Sequence, residues 1–414
     1  MGKISLLLIS VLFIKGTIEA QIEKPIYSIV IKGGHVIDPK NNINELMDVA
    51  IQNGRIIKIA KNINTKQARQ VVNAKGLYVI PGIIDIHSHN FPGIRTGDPD
   101  PDGFTLRNGI TTTVDAGSSG WKSFPRFKKE TIDRSVTRVL AWLNINGEGF
   151  RGSKYEQDTT NMDSKLSADF AKQNKDYIVG FKVAHYNGHS WTPVDRAVEA
   201  GRQAGGIPVM VDFGGSNPPL SIEDLYTKHF RPGDIFTHCF AQLGKSRESI
   251  VDTLTKKVKP FVIEAQKSGI IFDVGYGGIS FAFSQAIPAI KSGFYPNSIS
   301  TDMNHSALNG SMKNILSVMS KFLTMGMELP AVIRAATWNP AKEIKREDLG
   351  SLSEGSEADV AILDLREGNF GFFDYTGFKI EGNRKLECEM TIRGGRIVYD
   401  LNGIAEPVVI NNRE

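Results

Sequence analysis

Apolar and polar positions follow two different rhythms along this chain. Near the start they alternate with period two, as in a sheet with one face buried. Tyr27–Ile37 alternates around Gly33-Gly34 and predicts a hairpin turning at that glycine pair. Asp48–Ile59 alternates around Asn53-Gly54, a type I′ hairpin signal. Val71–Val79 adds further strand. The same rhythm returns at the far end, where Asp359–Leu365 predicts a strand and Glu389–Tyr399 another hairpin. Ile31-Lys32-Gly33-Gly34-His35-Val36-Ile37 parallels Ile392-Arg393-Gly394-Gly395-Arg396-Ile397-Val398 in residue type. The two ends are therefore expected to form one β domain, with the middle of the chain inserted between them.

The middle alternates short apolar runs with helical patterns. Strands are predicted at Tyr78–Ile86, Thr111–Asp115, Arg138–Asn144, Ile178–Ala184, Pro208–Phe213, Asp234–Cys239, Ile270–Val274 and Ser298–Thr301. Helices are predicted at Thr192–Ala204, Ile222–His229, Phe261–Lys267 and Met312–Met325. The first of these opens on a capping threonine followed by Pro193, a favourable first-turn residue. Such a βα series fits a (β/α)8 TIM barrel of about 250 residues. The expected fold class is α/β: this barrel over residues 81–344, with a small composite β-sandwich domain from residues 21–80 and 345–414. A doubly wound open sheet is the runner-up. It calls for a glycine-rich phosphate turn after the first strand, where this chain has histidines.

Composition adds limits. The 414 residues are 41% hydrophobic and 23% charged with net charge +4, and no run of lysine or arginine stands out. That is an ordinary globular balance without a nucleic-acid signature. Lys3 precedes the apolar run Ile4–Ile14, which is too short to span a bilayer as a helix. Ala20 follows as a small residue before Gln21, so residues 1–20 read as a secretory signal peptide and predict a periplasmic or secreted protein. After its removal no membrane contact is expected. Cys239 and Cys388 allow one bridge at most, so a disulfide scaffold is excluded.

Candidate chemistry gathers at the C-terminal ends of the predicted barrel strands, where such barrels place functional residues. The first strand ends in His87-Ser88-His89. Residues i and i+2 of a strand share a face, so both imidazoles can bind one metal ion. The fourth carries Lys182 inside an apolar run. An unpaired ammonium is costly there. A salt bridge relieves the cost, as does reaction of the neutral amine with carbon dioxide to give an anionic carbamate that bridges two metals. The fifth strand ends near Asp212, the sixth at His238 and the eighth at Asp302. Asp302 suits metal ligation and proton transfer, or capping of the next helix.

These residues resemble the amidohydrolase superfamily of metal-dependent hydrolases. The likeness rests on Pro81–His89, Lys182, His238 and Ser300-Thr301-Asp302, and on Thr337–Lys342 with Gly355–Val360. Phe230–Phe240 and Phe272–Gly275 narrow it to the amidohydrolase/deacetylase group, relatives of dihydroorotase and D-aminoacylase. The resemblance implies two zinc ions in the barrel: His87 and His89 on the more buried one, a carboxylated Lys182 between them, His238 on the second. It implies a hydroxide between the metals attacking a carbonyl, with Asp302 binding the first ion and shuttling the proton.

Departures from that pattern accompany the resemblance. Asp212 stands where the family usually has histidine, either as a ligand itself or as support for His238, with His185 or His189 filling the place. Tyr276 stands where relatives often carry histidine and could bond substrate or pack in its loop; His305 lies one residue from an expected Asp-x-His, and with His185 these are the substrate candidates. The expected activity is hydrolysis of an amide or ester of a small organic molecule, with metal-bound hydroxide and Asp302 as proton shuttle. The alternatives are a cyclic-amide hydrolase, a ring deaminase, or a barrel that binds without catalysis. The expected partner is a small-molecule substrate, with homo-oligomers compatible.

Overall fold

The computed structural model describes residues 26–94, 98–212 and 215–406. The leader expectation, residues 1–20, lies outside the described residues. The opening strands are β1 (Tyr27–Asp38), β2 (Ile43–Gln52), β3 (Arg55–Ala60), β4 (Ala68–Asn73) and β5 (Tyr78–Pro81). Next come β6 (Ile83–Ser88), β7 (Ile110–Gly120), β8 (Arg138–Asn144), β9 (Ile178–Val183), β10 (Val209–Val211), β11 (Ile235–Phe236) and β12 (Ile271–Phe272). The chain ends with β13 (Val360–Phe373), β14 (Lys379–Arg393) and β15 (Arg396–Asp400).

Strands β6 to β12 form one parallel sheet in sequence order. Every residue of β6 and β9 is buried, as expected where both faces of a parallel sheet are covered. The eighth position is taken by residues 298–303. They make parallel bridges, Asp273 to Ser298 on one side and Ser88 to Met303 on the other. The Val274 N–H donates to the Ser298 carbonyl (3.1 Å), and the His89 N–H to the Met303 carbonyl (2.8 Å). The sheet thus closes as a (β/α)8 barrel. The expected strand Ser298–Thr301 is in place but is not a regular ladder. The Thr301 N–H donates to the Asp85 carboxylate (3.1 Å) instead of a neighbouring backbone, and Asp302 turns left-handed at φ 47°.

One expected cap differs. Helix Thr192–Gln203 begins at Thr192, so this residue lies inside the first turn, and its hydroxyl pairs with Ser190 Oγ (2.7 Å). Pro193 takes the first-turn place the sequence suggests.

The second sheet has the order β15-β14-β13-β5-β1-β2-β3, with β4 also on β1. Both ends of the chain therefore share it. The Asn53-Gly54 and Gly394-Gly395 turns are two-residue hairpins with positive φ throughout, at 51°, 75°, 56° and 74°. Gly33-Gly34 is not a turn. It is a bulge inside the continuous strand β1. The Gly33 N–H donates to Asp48 Oδ1 (2.8 Å), and a Cβ on Gly34 would meet Val79 Cγ2 at 2.4 Å. The bulge divides β1, whose first half pairs β4 and whose second half pairs β5. Such bulges bend a strand, here around a core that includes Ile31, Val36, Val49, Val79, Ile362 and Met390.

The two sheets are linked at the start of β6. The Gly82 N–H donates to the Asp359 carbonyl (2.8 Å). Arg138 of β8 reaches Glu357 (2.5 Å) and Asp359 (2.7 Å). Cys239 and Cys388 are separate buried thiols. Among the described residues no helix is long and apolar enough to cross a membrane.

The two similar hairpin turns pack backbone to backbone: a Cβ on Gly395 would fall 2.6 Å from Gly54 Cα. Gly233 has comparable dihedral strain, φ 95°, but open space around it. Gly395→Ala should therefore cost roughly 2–4 kcal/mol in urea unfolding, and Gly233→Ala only about 1 kcal/mol. Equal costs would show that the turn-to-turn contact adds nothing.

Glu343 is buried at the opposite end of the barrel from the strand C-termini. Its Oε2 has no hydrogen-bond partner among the described residues. Burial, with the Asp273 charge adding, pushes its carboxyl up to about 8. The folded protein keeps Glu343 neutral where the unfolded chain ionises it. Its contribution is intact below about pH 4.5 and lost as pH rises to about 8. Glu343→Gln should gain on the wild type across that window, by on the order of a few kcal/mol at its upper end, in urea melts at stepped pH. A constant difference at all pH values would refute this.

Candidate active site

The site is built on the end of β6. Alternation along this strand sets Asp85, His87 and His89 on one side, and all three are buried. Asp85 Oδ2 accepts the Thr301 hydroxyl (2.5 Å), and its Oδ1 accepts the N–H groups of Thr301 (3.1 Å) and His87 (3.3 Å). Burial pushes Asp85 up to about 7 against these bonds. The Asp302 N–H donates to the His87 carbonyl (2.7 Å), and the Asp302 carboxylate lies 3.0 Å from His89 Nε2 and 3.6 Å from His87 Nε2.

Ring orientation is set by the outer nitrogens. Thr237 Oγ1 donates to Asp273 Oδ2 (2.7 Å), so it accepts from His87 Nδ1 (2.8 Å). His238 Nδ1 donates to the Gly275 carbonyl (2.5 Å). Both Nε2 lone pairs are therefore left facing the interior of the site. Burial, helped by the Lys182 charge, holds His87 well below its ordinary value and so neutral. His238 follows the two-residue strand β11 at φ 56°, a left-handed turn that brings its ring 5.0 Å from that of His87. His87, His238 and Asp302 each offer an atom within 4.8 Å of the others.

Lys182 is 1% exposed on β9, its Nζ 3.1 Å from His87 Nε2. Gly117 makes room for it, since a Cβ there would fall 2.7 Å from Lys182 Cγ. The salt bridge offered as one escape for this lysine is not formed among the described residues. Burial lowers its amine, and the charges of Asp212, Asp302 and Asp273 only partly oppose that. Asp212 lies just past β10 with Oδ2 3.4 Å from both His238 Nε2 and His185 Nε2. Burial alone would raise its carboxyl; His238, His185 and Lys182 outweigh burial and hold it well below the carboxylate range. In the same way His89, His238 and Lys182 overcome burial and keep Asp302 low. These groups face a cavity of about 460 Å³ also lined by Phe150, Ser280 and Asn304.

The structure thus gathers His87, His89, Lys182, Asp212, His238 and Asp302, and adds His185, which is held from behind by Glu156 (3.2 Å). Three expectations fail. Tyr276 is fully buried away from the cavity: its ring stacks on Phe281 (4.4 Å) and its hydroxyl donates to the Phe373 carbonyl (2.8 Å). The left-handed Gly275 and Gly277 on either side of it carry the loop along the site wall, while the tyrosine ring packs into the core. His305 is exposed in the first turn of a short helix capped by Asn304, and its neighbours Asn304 and Ser306 line the cavity instead. His189 is exposed and bonded to the Pro218 carbonyl (3.1 Å). Residues not singled out from sequence are Asp85, Thr237, Asp273 and Glu156. Asp273 lay within the Phe272–Gly275 stretch that carried the resemblance but was given no role; Glu156, on a separate helical turn, gave no signal.

With this geometry in view, the chain can be set beside known proteins. A profile of the amidohydrolase family matches residues 282–398. A deacetylase of Brucella anthropi is 32% identical over 354 residues, 84% of this chain and 86% of the relative. A deacetylase of Agrobacterium fabrum is 30% identical over 352 residues, 83% and 84% of the two chains. A crystal structure of an adenine deaminase superposes with TM-score 0.82 at 27% identity, covering 90% of this chain and all of that one. A dihydroorotase structure gives TM-score 0.79 at 26% identity, covering 90% and 99%. The chain belongs to the amidohydrolase superfamily and is a hydrolase of the class acting on carbon–nitrogen bonds other than peptide bonds.

Asp85 gives a test of how the site is held. Asp85→Ala leaves the buried Thr301 hydroxyl and N–H without an acceptor and should cost roughly 2–4 kcal/mol in urea unfolding. Asp85→Asn, which keeps the shape and an acceptor oxygen, should cost less than half of that. If the two variants are equally stable, the carboxyl is not what joins these strands.

Proposed function

We propose that this protein hydrolyses an amide or ester of a small organic molecule at the site formed by His87, His89, Lys182, Asp212, His238 and Asp302. The observation that carries this reading is the convergence of one ligand atom each from His87, His238 and Asp302 within 4.8 Å of one another, where His238 and Asp302 line a cavity of about 460 Å³. Two imidazole lone pairs and an ionised carboxylate are a donor set suited to zinc. The fit extends to Lys182. The neutral amine of Lys182 would add carbon dioxide with loss of a proton, and we infer that the resulting carbamate would join His238 in holding a second ion. Divalent ions in this site supply Lewis acidity, polarising a carbonyl and making water acidic enough to attack near neutral pH.

The chain's own residues account for the remainder. Asp302, held ionised by His89, His238 and Lys182, accepts a proton from the attacking water and returns it to the leaving nitrogen or oxygen. Asp273 and Thr237 keep the His87 ring in one tautomer. Asp212, between His185 and His238, brings negative charge to the second position, and His185 with Glu156 behind it offers a further imidazole there. Phe150, 5.1 Å from His89 and 5.0 Å from His185 by ring centroids, forms an apolar wall that suits an acyl group. N-acyl amino acids, cyclic amides and acylated hydroxy acids are the substrates of choice. Deamination of a ring is the second reading, supported by the likeness to a structure described as an adenine deaminase.

Protein purified without chelator should carry about two divalent metals per chain, with zinc expected. A panel of N-acyl amino acids, cyclic amides, acylated hydroxy acids and aminopurines should contain a substrate. Asp302→Asn should lower its kcat by about 10²-fold or more. Metal-free protein with no turnover of any panel member, or unchanged kcat in Asp302→Asn, would overturn the proposal.

A further inference from the structure

A second cavity, of about 540 Å³, lies between helix Ile315–Thr324 and the hairpin of β13 and β14. Its walls carry Lys313, Lys321 and Lys385 with the hydroxyls of Ser311 and Ser317. Asp374 is the acid on the same wall, and its oxygens are already used: Oδ2 accepts the Phe283 N–H (2.8 Å), and Oδ1 accepts the Thr376 N–H (2.9 Å), the Thr376 hydroxyl (2.7 Å) and the Phe378 N–H (3.1 Å). Lys385 has a distant partner in Glu387, at 3.7 Å on the surface. Neither Lys313 nor Lys321 has an ion pair among the described residues.

Lys321 is the unusual member. It lies on a helix whose residues Ile315 to Leu323 are all buried, and it is 1% exposed. Its Nζ donates to the Tyr276 hydroxyl (3.0 Å) and to the Ser311 carbonyl, and it stands 4.1 Å from the centre of the Tyr276 ring. An ammonium has three donors, so one is left for a ligand. A buried ammonium without a counter-ion is expensive. Burial, with the Lys313 charge adding, accordingly pulls Lys321 down to about 7 while Asp374 opposes. The place holds three lysines and two hydroxyls, and its one carboxylate, Asp374, is occupied by backbone and threonine donors.

We propose that this cavity is a binding site for a small oxyanion, a phosphate or a carboxylate, seated between Lys313, Lys321 and Lys385. Charge-assisted bonds to oxyanions are strong enough to repay the buried ammonium. The ligand would sit one side chain from the barrel mouth. Tyr276, which receives the Lys321 hydrogen bond, lies between Gly275, whose carbonyl orients His238, and Gly277, whose N–H donates to the Thr301 carbonyl (2.9 Å).

The test is calorimetric titration of the full-length, metal-loaded protein with inorganic phosphate and, separately, with succinate. Phosphate also has access to the barrel site, so variants separate the two locations. Lys313→Gln, at an exposed position, and Lys321→Met should each weaken one class of binding roughly tenfold or more, the scale of one charge-assisted hydrogen bond. Phosphate should raise the melting temperature of the wild type more than that of Lys313→Gln. Tighter binding of phosphate than succinate identifies a phosphate ligand, and the reverse order a carboxylate. Identical binding in the wild type and Lys313→Gln, or no binding of either probe to the wild type at millimolar concentration, would overturn the proposal, whether or not Lys321→Met folds.

Discussion

Closure of the barrel between its first and eighth strand positions is the constraint on which the site depends. At this seam the Asp302 N–H bonds the His87 carbonyl, the His89 N–H bonds the Met303 carbonyl, and Asp85 accepts two bonds from Thr301. The seam lacks a regular ladder because Asp302 is turned left-handed. That turn aims its carboxylate back at His87 and His89. Extended backbone at Asp302 would give a longer strand and turn its carboxylate away from both histidines. A side-chain clamp from Asp85 thus stands in for backbone pairing lost where the chemistry needs an unusual conformation.

The cluster above the seam is held in electrostatic balance. Burial disfavours charge on every member. Asp212 and Asp302 remain ionised because imidazoles and Lys182 surround them, while Lys182 and His87 lose basicity because burial exceeds the help of those carboxylates. Inward-facing imidazole nitrogens beside ionised carboxylates make a cage for a cation. The outer bonds, Thr237 and Asp273 on His87 and Gly275 on His238, ensure that the lone pairs face inward. The same balance holds Asp212, since His185 and His238 share that carboxylate.

Much of the architecture was legible in the sequence. The His-x-His at the end of an apolar run, Lys182 within another, and Asn53-Gly54 each carried a local physical signal. The hairpin expected at Gly33-Gly34 failed because a glycine pair in an alternating run marks a bulge as well as a turn. What decided between them was Val79, distant in sequence, which lies where a Cβ on Gly34 would sit. Tyr276 and His305 failed for a related reason. Position after a barrel strand places a residue near the mouth, but the direction of its side chain follows from loop dihedrals. Gly275 and Gly277 pass along the site while the tyrosine between them packs on Phe281.

By itself, then, the sequence determined the period of each segment, and with it the order of sheet and barrel, the pair of ends that join, and the strand-end residues available for chemistry. Periodicity and strand alternation are local properties, so they survive without knowledge of neighbours. The tertiary structure alone decided which groups face each other: that Asp302 returns to His87, that Asp212 lies between two histidines, that Glu156 stands behind His185, and that Lys321 is buried with no ion pair among the described residues. Those relations join residues up to hundreds of positions apart, and their energies come from burial and charge in a shared interior that no single stretch of chain possesses.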